Sequence, residues 1–160
     1  MDRAWAEARR PGLPWAAGEY ELLRDQVRRF VKEEIKPYAD RWEEDGFIPR
    51  PILRRMGELG FFGIRYPAEY GGAEMDAVAS TVFAEELGRS TFGGVADAML
   101  VQADMASGYV FHVGTKAQRA RWMPGIISGE VITAVAITEP DAGSDVSAMR
   151  THSSRRLATD

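Results

Sequence analysis

The chain of 160 residues contains no cysteine, which excludes disulfide bonds, cysteine-ligated zinc sites and thiol nucleophiles. Its two histidines are His112, in an apolar helical pattern, and His152, in a polar tail, and we expect core packing rather than a ligand or a base. Gly-x-Ser-x-Gly, Gly-x-Gly-x-x-Gly and P-loop motifs are missing, so no serine hydrolase, Rossmann site or NTPase is indicated. No apolar run approaches the roughly 18 residues of a membrane-spanning helix. We therefore assign no catalytic residue, no metal site and no membrane span.

The composition is that of a soluble protein that can bury a core, with 45% hydrophobic and 10% aromatic residues. A net charge of −4 and a pI near 5.3 argue against a nucleic-acid partner. Residues 1–18 lack the apolar stretch of a signal peptide and predict a loose N-terminal arm. We expect a cytoplasmic protein of one domain, or of one domain and part of another.

The first part of the chain has the periodicity of helices. Apolar residues at three- and four-residue steps predict a long helix over residues 19–42, which Pro37 should kink or end nearby. A short second helix is expected to begin at Pro51 and to stop at Gly60. The glycine-rich and aromatic stretch 61–75 predicts an irregular loop.

Three more helices are predicted before the pattern changes. Asp76 is a suitable N-cap for a third helix through residue 89. Small and apolar residues predict a fourth helix from about residue 91 or 93 to residue 113, buried on more than one side. Thr115 can cap a fifth helix that extends to about residue 123.

A β-branched run over residues 131–138 predicts a strand. Glu139 and Pro140 end it, because proline has no N–H to donate to a ladder. Residues 141–145 have turn chemistry, with Gly143 free to adopt a positive φ. A strand that ends in such a turn offers free backbone N–H groups and hydroxyls, which suits a ligand with phosphates. From the residues alone, however, a plain strand and turn is the favoured interpretation.

Residues 138–145, Thr-Glu-Pro-Asp-Ala-Gly-Ser-Asp, resemble the flavin-binding signature of the acyl-CoA dehydrogenase family, where it begins the middle β-domain. Further stretches resemble the family in the same order along the chain: residues 60–64, 67–72, 85–89 and 114–119, with Pro124 and residues 128–129 downstream. The resemblance covers about residues 19–151.

This resemblance implies a mainly α fold. Residues 19–129 would form the N-terminal up-down helical domain of the acyl-CoA dehydrogenase type, and residues 130–151 the first strands of an incomplete, β-barrel-like middle domain. The polar tail 152–160 departs from the family pattern, from which we expect a truncated or frame-shifted product.

The resemblance also implies FAD as the cofactor and an acyl-CoA as the substrate. The flavin ring would be lined by Val135, Ala136, Ile137 and Thr138. Gly143 and Ser144 would lie by the pyrophosphate, with Ser144 also close to the acyl-CoA. Relatives often carry an aromatic residue in place of Val135 and a small one in place of Asp141, so packing and charge differ there.

The resemblance further implies that parts of the helical domain wall an acyl-chain tunnel. The candidates are the loop 66–75 and the side chains of Met99, Val101, Met105 and Val110. At helical spacing, ordinary core packing is the favoured interpretation of these side chains.

The implied activity is α,β-dehydrogenation of an acyl-CoA thioester. In the family the glutamate base comes from a C-terminal helical bundle, which has no counterpart in these residues. We therefore expect the 160-residue chain to be inactive alone and to bind FAD weakly or not at all. Two alternatives stay open: a flavin-dependent acyl-CoA oxidase or monooxygenase of the same fold, and a non-catalytic helical partner. A homo-oligomer or a complementary dehydrogenase subunit would be the corresponding assembly.

Overall fold

A computed structural model describes residues 18–152, and its elements up to Ile127 are helical. The seven α-helices of this described range are α1 (Glu19–Phe30), α2 (Ala39–Asp45), α3 (Arg50–Glu58), α4 (Ala77–Gly88), α5 (Gly93–Leu100), α6 (Ala106–Val113) and α7 (Lys116–Ile127). Two π-helical turns extend them, Val31–Ile35 after α1 and Val101–Met105 between α5 and α6. Short 3₁₀ turns occupy Ala68–Tyr70 and Val146–Ala148. Most of the expected N-terminal arm and all but the first residue of the expected tail lie outside the described residues.

The expected interruption at Pro37 is present. The π-helical turn after α1 ends at Ile35, and the N–H of Tyr38 bonds to the carbonyl of Ile35 at 2.9 Å before α2 begins. Proline has no N–H with which to continue the ladder, so the predicted helix 19–42 forms as two pieces. Gly46, with φ 71°, ends the second piece in the left-handed region.

The predicted helix caps are confirmed. Asp76 Oδ1 accepts from the N–H groups of Val78 and Ala79, at 3.0 and 3.1 Å. Thr115 and Gln118 form a reciprocal capping box at the start of α7.

The predicted end of the last helix near residue 123 is wrong, because α7 continues through Pro124 to Ile127. Proline removes one helical hydrogen bond, but the turn that follows it carries two buried core side chains, Ile126 and Ile127. Their burial favours continuation of the helix over a break.

The main core lies between α1, α3, α4 and α5. Phe61 packs against Phe30 and Phe83, with ring centroids 5.4 and 5.5 Å apart. A second, smaller cluster joins Tyr66 to Met123 and the two isoleucines of α7. The expectation of a core position for His112 is wrong: this side chain is exposed, on the solvent side of α6.

A buried carboxylate links α1 to α4. Glu86 is fully buried, and its oxygens lie 2.8 to 3.1 Å from the guanidinium nitrogens of Arg24, Arg28 and Arg89. A buried carboxylate is tolerated when it is paired and hydrogen-bonded, which these arginines achieve. The network therefore fixes how α4 lies on α1.

Two glycines bring the end of α7 against α3. A Cβ at Gly57 would lie 2.2 Å from the carbonyl carbon of Ser128, and one at Gly129 would lie 2.3 Å from the carbonyl oxygen of Leu53. Gly129 also has φ 74°, a conformation that side chains rarely adopt. The two backbones touch, and no side chain fits between them.

No strand is formed within residues 18–152. Residues 132–138 are extended but have no ladder partner, and the only bridge in the described range joins Glu139 to Ala142. A strand needs a neighbour, and the described residues place no other extended segment beside this one. The strand over 131–138 and the start of a β-domain therefore stay predictions.

The glycine contact gives a test of the fold. Gly57→Ala is expected to lower the stability by about 1–3 kcal/mol, because its methyl group overlaps the backbone of Ser128. Gly88→Ala is the matched control, since Gly88 is also helical and its Cβ would meet nothing within 4 Å. Thermal unfolding followed by circular dichroism compares them, and equal melting temperatures would refute the contact.

Candidate functional site

An open cleft of about 520 Å³ lies between the helical core and the extended segment. One wall is helical, from α2, α3, α5 and the π-helical turn that follows α5, and the other is the extended chain. Its lining residues are Trp42, Glu43, Gly46, Phe47, Ile48, Leu53, Gly94, Val95, Ala98, Val101, Gln102, Ile132, Thr133, Ala134 and Val135. Most of these side chains are apolar, so the cleft suits an apolar group.

Glu43 is the one ionisable side chain among the lining residues. Its Oε1 accepts from the N–H of Val95 at 3.3 Å, in the first turn of α5. A Cβ at Gly94 would lie only 3.1 Å from the same oxygen. The small residue therefore lets α2 approach the start of α5 and leaves the cleft open at this end.

Of the six predicted flavin-site residues, Val135 lines the cleft and is half-buried. Ala136, Ile137 and Thr138 follow it and are exposed, as are Gly143 and Ser144 in the turn. A Cβ on Gly143 would lie 4.0 Å from Thr138 Cγ2, so the turn brings Gly143 back to the end of the extended segment.

The turn is held by a carboxylate that the sequence did not single out. Glu139 accepts from the N–H groups of Arg150 and Thr151, at 2.5 and 3.0 Å, and from the Thr151 hydroxyl. These bonds, the Thr151 hydroxyl first and the Arg150 N–H next, hold the pKa of Glu139 below its usual range. Glu139 and Ala142 also exchange two backbone hydrogen bonds, which close the turn 139–142, while the carboxylate bonds close the longer loop 139–151.

Asp141, whose charge departs from the family pattern, is exposed, and its carboxylate lies 3.9 Å from the guanidinium of Arg150. Within residues 18–152 no group of acidic or histidine side chains could hold a metal ion. No helix of this range is long and apolar enough to cross a membrane.

The residues predicted to wall an acyl-chain tunnel do not lie together in the structure. Val101 lines the cleft, Met99 is fully buried in the main core, Met105 is half-exposed on the surface, and Val110 packs on the second cluster. In the loop 66–75, Tyr66 donates to Ser107 Oγ at 2.7 Å inside the second cluster, and no residue of the loop lines the cleft.

Two cleft residues carry no motif signal. Gln102 and Glu43 act through partners 24 to 52 positions away along the chain. A glutamine within a helical apolar pattern, and a glutamate in an acidic run, give no sequence clue to such contacts.

The family match to known proteins covers nearly the same residues as the helical part of the structure, Glu19 to Ile127. Residues 17–130 match the family described as acyl-CoA dehydrogenase, N-terminal domain. The chain is 37% identical over 134 residues to (2S)-methylsuccinyl-CoA dehydrogenase of Cereibacter sphaeroides, covering 83% of this chain and 24% of that protein. It is 38% identical over 138 residues to glutaryl-CoA dehydrogenase of Desulfococcus multivorans, covering 82% and 34%.

A solved structure agrees with these relatives. The structure of acyl-CoA dehydrogenase complexed with FAD from Bacillus anthracis superposes with a TM-score of 0.78 at 30% identity, covering 84% of this chain and 23% of that one. The chain thus spans about a quarter to a third of the length of these relatives.

The Glu139 loop gives a pH prediction. Because the folded pKa of Glu139 is lowered, the bonds to Arg150 and Thr151 are complete above the ordinary glutamate pKa and are lost as the pH falls through the lower folded value. Two-dimensional NMR should show the amide signals of Arg150 and Thr151 moving together at that lower pH. Glu139→Gln should remove this titration, whereas Glu130→Gln, which affects a surface pair with Arg54, should leave it. Movement only at the ordinary glutamate pKa would contradict the loop geometry.

Proposed function

The chain belongs to the acyl-CoA dehydrogenase family, and on that premise we propose that it is the N-terminal part of an FAD-dependent dehydrogenase acting on an acyl-CoA thioester. The observation that carries the proposal is the extended segment, residues 132–138, which lines an apolar cleft with residues 132–135 and is exposed over residues 136–138, where the flavin signature begins. Bound FAD would supply the hydride acceptor for α,β-dehydrogenation.

The residues present fit a flavin. Among residues 18–152, the backbone groups of 134–138 have no hydrogen-bond partner, so their N–H and C=O groups are available to the polar edge of a ring. Val135 would pack against the ring from the cleft side, and Ala136, Ile137 and Thr138 would bind its edge. Small, exposed Gly143 with Ser144 beside it suits a pyrophosphate, because the backbone can be approached closely and a hydroxyl can donate.

The acyl group would occupy the apolar cleft. Its walls contain small side chains from α5, Gly94 and Ala98, with Val101 one turn further on. Ser144 would lie close to the thioester end of the substrate. No residue of this chain is proposed as the base that removes the α-proton; by family resemblance that glutamate lies in a C-terminal bundle.

We assign an exposed apolar stripe to contact with the rest of such an enzyme. Met105, Tyr109 and Val113 recur every four residues along α6 and the turn before it, and are between 50% and 77% exposed. Four-residue spacing places them on one helix face, and such a continuous face is usually covered. Because the chain spans only about a third of its relatives, the remaining segment is the occupant that we propose, in the same or a second polypeptide.

The test is NMR titration of the labelled chain with FAD at millimolar concentration, which detects weak binding residue by residue. We expect amide shifts confined to residues 135–138 and 143–144. Gly143→Asp should weaken this binding about tenfold or more, because it places a second carboxylate near the pyrophosphate.

Gly88→Asp is the control, since it adds the same charge at an open helical position. Shifts scattered over other surfaces, or no shifts at millimolar FAD, would contradict the proposed site.

A further inference from the structure

Gln102 is the most buried uncharged polar side chain in the cleft wall, with 1% of its surface exposed. It lies in the π-helical turn Val101–Met105, where the N–H of Ala106 bonds five residues back to Val101. Turns of this kind are rare and are frequently found at functional sites.

The side-chain amide of Gln102 makes four hydrogen bonds. Nε2 donates to the carbonyls of Ile126, at 3.1 Å, and of Val131, at 3.0 Å. Oε1 accepts from the N–H and the hydroxyl of Thr133, both at 2.7 Å. A glutamine amide has two N–H groups and two acceptor sites, so its whole capacity is used. It has none left for a ligand.

These bonds join parts of the chain that little else connects. In the described range, residues 131–138 make one backbone–backbone hydrogen bond, from the N–H of Val131 to the carbonyl of Gly125 at 2.9 Å. Gln102 belongs to the helical wall of the cleft, and Thr133 to the extended wall. The amide therefore spans the two walls and sets the distance between them.

We propose that Gln102 is a positioning residue that holds the extended segment, and with it Val135 to Thr138, at a fixed distance from α5. For its consequence on cofactor binding, this inference rests on the proposed function. The residue acts through the segment that it holds and touches no ligand itself.

Gln102→Met removes all four bonds at nearly constant volume. Gln26→Met is the matched control: Gln26 is half-buried on α1 and makes one long bond, 3.5 Å, to the carbonyl of Leu59. Hydrogen exchange measured by NMR should show the Thr133 amide exchanging at least about tenfold faster in Gln102→Met, and unchanged in Gln26→Met.

A distance measurement gives a second readout that a loss of overall stability would not produce. Because the chain has no cysteine, nitroxide labels attach only to cysteines that are introduced. We place these at Asp97→Cys on α5 and at Ala136→Cys on the extended segment. The distance distribution should be narrow in the otherwise unchanged chain and in Gln26→Met, and broad in Gln102→Met. Thr133→Val, which removes only the hydroxyl bond, gives a milder variant should Gln102→Met fail to fold; it should broaden the distribution partially.

An unchanged Thr133 exchange rate, or an unchanged distance distribution in folded Gln102→Met or Thr133→Val, would overturn the inference. Neither readout needs flavin. Failure of FAD to shift residues 135–138 would count against the proposed function alone. If FAD does bind, its affinity should fall about tenfold in Gln102→Met and stay constant in Gln26→Met, and an equal affinity in all three would also overturn the inference.

Discussion

The close backbone contact between α3 and the end of α7 decides where the chain leaves the helical core. Gly57 and Gly129 permit it, since a methyl group at either position would overlap the opposite backbone. Gly125, one turn earlier, allows a different close contact, because its Cβ would lie 2.7 Å from a side-chain methyl of Val131. The chain therefore enters residues 131–138 from a tightly packed point, and the side chain of Gln102 then holds this stretch through Val131 and Thr133.

The position of α1 on α4 in the main core is fixed by a different interaction. A fully buried carboxylate, Glu86, is surrounded by two arginines from α1 and by Arg89, which directly follows α4. Such a pair adds little net stability over an apolar contact, but removing one partner leaves an uncompensated charge. The arrangement permits one register of α1 on α4, and this register supports the helical wall of the cleft. Within residues 18–152, helices on one side and a tethered extended chain on the other give a site of defined width without a sheet.

Interactions between residues close in the sequence could be predicted from it, whereas interactions between distant residues could not. The caps at Asp76 and Thr115 and the break at Pro37 depend on residues within one turn. The continuation through Pro124 depends on the burial of Ile126 and Ile127, which is a tertiary effect that overrides proline.

The same distinction applies to the site. The signature segment was found by family resemblance, whereas Glu43 and Gln102 have partners far along the chain and gave no signal. A ladder is also non-local, so the β-branched run remains extended but unpaired within residues 18–152.

The proposed flavin-binding segment would need the rest of the enzyme to retain the cofactor. A chimera can test this, with residues 19–151 replacing the aligned part of the Desulfococcus multivorans glutaryl-CoA dehydrogenase. The measurement is the visible spectrum after FAD addition and desalting. We predict a flavin band in the chimera and none in the 160-residue chain alone. A chimera that is helical by circular dichroism yet colourless would contradict the proposed flavin site.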